Sequence, residues 1–93
     1  MSTFTLKIVE EERAIYEESA SLVTLPGILG EVGFLAHHAP YIVGLKEGLI
    51  KVYGIQKNFE KPFKTFIIKK GHAYFSNNHC ILCVKMKKEA EVF

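Results

Sequence analysis

Apolar and polar residues alternate with a period of two along most of this chain, and that period points to strands rather than to a helical bundle. Phe4-Thr5-Leu6-Lys7-Ile8 has the pattern of a half-buried strand. Residues 10–13 read as a polar turn, 14–17 as a short strand and 20–25 as another. Two further strands, Tyr41–Leu45 and Gly48–Tyr53, flank a Lys46-Glu47 turn. Residues 55–62 form a polar hairpin loop in this reading, and segments 63–69 and 72–75 pair across Lys70-Gly71. Ser76-Asn77-Asn78 is a strong turn signal, and residues 79–86 make the last strand. Short strands with turn signals every eight to twelve residues predict an all-β sandwich or barrel.

At 93 residues the chain has room for one core and one domain. Its hydrophobic content of 48% is ample for folding. With 12 basic and 10 acidic residues, the net charge of +2 offers no case for nucleic acid or an anionic membrane as a partner. No apolar run has the length of a bilayer span, and Glu10, Glu11 and Glu12 follow too soon for a signal peptide. The expectation is a cytoplasmic protein that meets a membrane only through protein partners. Two cysteines without an export signal fit a reducing compartment.

The densest punctuation lies in Leu25-Pro26-Gly27-Ile28-Leu29-Gly30-Glu31-Val32-Gly33-Phe34-Leu35-Ala36-His37-His38-Ala39-Pro40. Three glycines and two prolines there specify a compact loop path, the kind of segment with which a small domain meets a partner. The stretch resembles the signature of the epsilon subunit of bacterial F-type ATP synthases, equivalent to mitochondrial delta. The family pattern is roughly Gly-x-x-Gly-Glu-x-Gly, an aromatic or aliphatic residue, then His-Ala-Pro, aliphatics and Lys-x-Gly. Gly27, Gly30, Glu31, Gly33, Phe34, His38, Ala39, Pro40, Lys46 and Gly48 match it without a gap, followed by Leu49-Ile50-Lys51-Val52. Ala36 departs from the family's usual Pro, and Lys70-Gly71 stands where the family often has a glycine pair. The opening strand and residues 66–75 are similar to the family's first strand and late hairpin.

The resemblance implies a flattened β-sandwich of about ten short strands over residues 1–86, with 87–93 as a short tail. Family members commonly continue into a C-terminal helical hairpin that can restrain ATP hydrolysis. The seven residues after the last strand are too few for one, so that domain is expected to be missing here.

Other chemistry is less well supported. Cys80 and Cys83 have the Cys-x-x-Cys spacing of zinc and redox sites, but three steps along a strand point to opposite faces. Cys80 would share a face with Leu82 and Val84, and Cys83 with Ile81, as small hydrophobes. His37, His38 and Glu31 could make a minor metal site. The simpler reading has His38 fixing its loop, and Glu31 either solvated or, by the resemblance, at a contact with the membrane ring. No Gly-Lys-Ser/Thr or Gly-x-Gly-x-x-Gly exists to cradle phosphate. The glutamates at 10–12, 17 and 18, and the lysines at 85, 87 and 88, read as solvated edges.

The resulting expectation is a non-catalytic central-stalk subunit that couples gamma to the ring of c subunits, without catalytic residues, cofactor or metal. It would sit peripherally at the cytoplasmic face of a bacterial plasma membrane. The resemblance assigns Gly27, Gly30, Glu31, Val32, Gly33, His38, Ala39 and Pro40 to the ring contact, and leaves the gamma-binding face unassigned. The alternative is a ligand- or peptide-binding β-sandwich unrelated to ATP synthase.

Overall fold

The computed structural model describes residues 2–54 and 62–87. It contains eight strands in chain order: β1 Phe4–Glu10, β2 Arg13–Ala20, β3 Leu22–Gly27, β4 Gly30–Leu35, β5 Tyr41–Leu45, β6 Gly48–Tyr53, β7 Lys64–Ser76 and β8 His79–Met86. The all-β expectation holds, with eight strands among the described residues where about ten were expected.

The first layer runs β2-β1-β8-β7-β5 and is antiparallel except for the parallel pairing of β1 with β8. In the second layer β4 pairs β3, β3 pairs β6, and β6 pairs the start of β7. A single bridge, Gly27 to Leu45, joins β3 to β5. The core lies between the layers. Phe34 of β4 meets Phe75 of β7 at 5.1 Å between ring centres although the two strands do not pair, and Phe4 of β1 meets Phe75 at 5.4 Å. Leu6, Ile8, Val23, Leu25, Ile50, Ile68 and Leu82 complete a fully buried interior drawn from alternate strand positions.

The expected turn at Lys70-Gly71 does not exist. β7 is one strand of 13 residues. Its start pairs β6 from Lys64 to Ile68, and its end pairs β5 from Gly71 to Phe75. A register shift between Ile68 and Lys70 lets it pass from one layer to the other. Gly71 is needed for close approach rather than for turning: a Cβ there would stand 2.5 Å from the Cys83 carbonyl oxygen on β8.

The true turns are tight. Asn77 and Asn78 both have positive φ, as a two-residue hairpin turn requires, and so do Glu11 and Glu12 between β1 and β2. Asn78 also ties three segments together. Its Nδ2 donates to the Thr3 carbonyl (2.9 Å), its Oδ1 accepts from the His37 N–H (2.7 Å), and its carbonyl accepts from the Thr5 N–H (3.2 Å). The polar loop expected at 55–62 lies, apart from Pro62, outside the described residues.

β8 has the expected bounds and the expected alternation. Cys80, Leu82 and Val84 are buried, Ile81 is exposed and Cys83 is half-buried. Burial pushes the Cys80 thiol up to about 12. Iodoacetamide at about pH 8 is therefore expected to modify Cys83 in the native protein and to spare Cys80 until the chain unfolds. Equal labelling rates by mass spectrometry would contradict this placement.

Candidate functional site

The Leu25 to Pro40 stretch is a β-hairpin and its exit, not one continuous loop. β3 and β4 pair in register from Leu22↔Leu35 to Gly27↔Gly30, leaving Ile28 and Leu29 as the turn. Gly30 has φ 138°, a conformation that side chains disfavour, and a Cβ on Gly27 would lie 2.5 Å from the Gly30 carbonyl oxygen. Those two glycines are dictated by the turn. Gly33 is different. It sits in extended backbone, and a Cβ there would find its nearest neighbour at 3.6 Å, so nothing inside the protein excludes a side chain.

Strand β5 props up the turn. The Ile28 N–H donates to the Gly44 carbonyl (3.0 Å), and the Lys46 N–H donates to the Pro26 carbonyl (2.9 Å). The Ile28 side chain folds over Gly44, where a Cβ would meet its Cδ1 at 2.9 Å. Leu29 is left 100% exposed, with Ile28 at 60% and Ile42 of β5 at 70%. Beside them lies a groove of about 620 Å³ lined by residues 28–32 and 41–44, with exposed Glu31 on its rim. Leu29, Ile28 and Ile42 together make a local exposed aliphatic patch at the tip. The resemblance did not assign Ile28, Leu29 or Ile42 to any contact. Their signal in the sequence is an aliphatic pair between two turn glycines.

The structure brings Gly27, Gly30 and Glu31 together at this tip, with Val32 and Gly33 following along β4. His38, Ala39 and Pro40 belong to the other end of β4, five residue steps or about 17 Å of strand from Gly30. There the His38 ring packs on Phe34 (4.8 Å) and Phe75 (5.6 Å), with Tyr41 at 5.9 Å, and its Nδ1 lies 2.6 Å from the Ala39 carbonyl oxygen. His38 thus caps the aromatic core. His37 and His38 are separated from Glu31 by the strand. Among the described residues no three His, Cys, Asp or Glu side chains converge as metal ligands.

A second apolar feature crosses the outer face of the first layer. Ile42, Tyr74 and Ile81 stand side by side in register on β5, β7 and β8, at 70%, 39% and 38% exposure. The row continues into Lys7 of β1 and Glu17 of β2. Because Ile42 also lines the tip groove, the row and the tip form one continuous apolar surface.

These features belong to a small β-sandwich domain with a buttressed apolar tip, one carboxylate beside it and an apolar sheet face. Residues 3–89 match the family described as ATP synthase, Delta/Epsilon chain, beta-sandwich domain, and the chain belongs to that family. It is 45% identical over 69 residues to the ATP synthase epsilon chain of Rickettsia bellii (strain OSU 85-389), across 74% of this chain and 62% of that one. It is 42% identical over 59 residues to the ATP synthase epsilon chain of Desulfitobacterium hafniense (strain DSM 10664 / DCB-2), across 63% and 44%. The match thus spans roughly half to three-fifths of these relatives' length. The same fold occurs in the cryo-EM structure of the Euglena gracilis mitochondrial ATP synthase OSCP/F1/c-ring, with TM-score 0.77 and 19% identity over 90% of this chain and 51% of that one. It recurs in the central stalk/c-ring structure from the Tetrahymena thermophila enzyme, with TM-score 0.71 and 12% identity over 87% and 62%.

Proposed function

We propose that this domain is a non-catalytic rotor part of an F-type ATP synthase, seated between the gamma subunit and the ring of c subunits. The observation that carries the reading is the buttressed tip of a family member: Leu29 fully exposed, Ile28 pinned to Gly44, and Glu31 beside them. A part that transmits torque must keep its contacts fixed under load. The two hydrogen bonds from Ile28 and Lys46 hold this tip to β5. The tip, with Gly27, Gly30, Glu31, Val32 and Gly33, meets the ring in this reading, while His38, Ala39 and Pro40 hold the far end of β4 in shape. The in-register row Ile42, Tyr74 and Ile81 is the face offered to gamma, where a specific interface would bury about 800 Å² per partner. The domain then lies peripherally at the cytoplasmic face of the membrane, bound through these proteins alone.

Co-purification of the tagged chain with gamma from the same genome, followed by size exclusion, tests the assignment. A one-to-one complex supports it, and failure to bind a folded gamma rejects it. Glu31→Lys is expected to weaken docking on the ring by about 1 kcal/mol, roughly fivefold, while gamma still binds. Proton-driven ATP synthesis in vesicles should fall accordingly, and unchanged synthesis would remove Glu31 from the contact.

A further inference from the structure

Strand β7 passes from one layer to the other at a corner that its ladders leave open. Gly48 pairs Ile68 and Leu45 pairs Gly71, but Lys46, Glu47 and Lys69 have no strand partner among the described residues. On the β8 side the register shifts across the same step, between Ile68 and Lys70. A stretch with fewer backbone hydrogen bonds opens more easily than the ladders around it.

Three segments meet over this corner: the β5–β6 turn, the hairpin tip and the exit from β8. The turn reaches the tip through its backbone. The Lys46 N–H donates to the Pro26 carbonyl (2.9 Å), and Gly48 lies so close that a Cβ there would stand 2.7 Å from the Pro26 Cβ. Turn and tip therefore move together. The exit from β8 is fixed by other bonds. The Met86 N–H donates to the Glu10 carboxylate (2.9 Å), and the Lys87 N–H donates to the Ile67 carbonyl (3.0 Å). A side-chain contact links the two sets, with the Lys87 ammonium donating to the Glu47 carboxylate across the corner. That hydrogen bond, with the charge behind it, holds the Glu47 carboxyl below its usual range, and Lys69 adds a smaller attraction.

An exposed ion pair of this kind adds little to global stability. Its position gives it a different role. We infer that Glu47 and Lys87 form a clasp that closes the corner and couples the hairpin tip to the exit from β8. With the clasp shut, the turn, the tip and the exit hold one arrangement. With it open, the turn is tied to β7 only through the ladder ends at Leu45 and Gly48, and the tip opens more often. The side chains of Lys87 and Glu47 are 46% and 57% exposed, so dissolved salt reaches the clasp and weakens it. The device belongs to this chain alone and does not depend on which protein meets the tip.

Residue-resolved hydrogen exchange on the isolated chain, with a double-mutant cycle of Glu47→Ala and Lys87→Ala, tests it. The Ile28 and Lys46 amides are followed, because their hydrogen bonds tie the tip to β5 and to the turn. Lys87→Ala should speed both about threefold, although Lys87 belongs to neither the turn nor the tip. Glu47→Ala should do the same once its effect on the intrinsic rate of its neighbour is corrected, and the double variant should add nothing further. The β7–β8 ladder amides and the melting temperature should stay as they are. In the wild type, about 0.5 M sodium chloride should speed the same two amides by screening the pair. Unchanged Ile28 and Lys46 exchange in Lys87→Ala would overturn the inference. So would additive effects of the two variants, which would mean that the side chains act separately, and so would an equal rise in the ladder amides, which would mean general loosening.

Discussion

Phe34→Ala is expected to destabilise the domain by about 3–5 kcal/mol. Phe34 is fully buried and is the hub of the aromatic cluster, touching Phe75, His38 and Tyr41. Nothing in a two-layer sandwich with a single core can move in to fill the space. A small domain has about 5–15 kcal/mol in all, so the loss is a large share of its stability. The melting temperature should fall by about 12 °C or more, measured by circular dichroism. The His38 ring loses its closest packing partner in the same variant. The exit from β4 should therefore loosen, and the His37 and His38 resonances should shift before global unfolding. A fall of only a few degrees would mean that the layers do not pack through Phe34.

Gly71→Val should be comparably damaging, for the opposite reason. The first added carbon already lies 2.5 Å from the Cys83 carbonyl oxygen and 3.0 Å from the Val84 Cα. Both are backbone atoms of β8, which cannot step aside without giving up the β7–β8 ladder. The expected cost is about 3 kcal/mol, read from denaturant melts. The comparison with Gly33→Val is the sharper experiment. Both glycines lie in strands with ordinary φ, and only one has a neighbour in the way. Similar melting of the two variants would contradict the close approach of β7 to β8.

That pair of glycines also explains what the sequence conveyed and what it hid. Period-two alternation carried the all-β class, the faces of β8 and the opposite orientations of Cys80 and Cys83, because a half-buried strand writes its burial directly into residue order. Glycine is ambiguous in the same text. At Gly30 it marks a turn, at Gly71 a close crossing and at Gly33 neither. Reading Lys70-Gly71 as a turn split one strand into two. Reading Gly27, Gly30 and Gly33 together as one loop concealed a regular hairpin. Pro26 reinforced that error, although a proline is harmless at a strand position whose N–H need not bond to the neighbouring strand. The match of Gly27 to Gly48 pointed to the family. It could not reveal that the two ends of β4 hold its residues apart, or that Leu29 is the most exposed side chain of the tip, because both follow from pairing between distant segments.

The long strand β7 has a consequence for how the molecule comes apart. Sandwiches whose layers share no strand can loosen one layer at a time. Here one continuous stretch of backbone is paired to β5, β6 and β8 and belongs to both layers. Detaching either layer strips partners from the same 13 residues, so the two layers are tied through one backbone. A single cooperative melting transition is the expected result for the described sandwich.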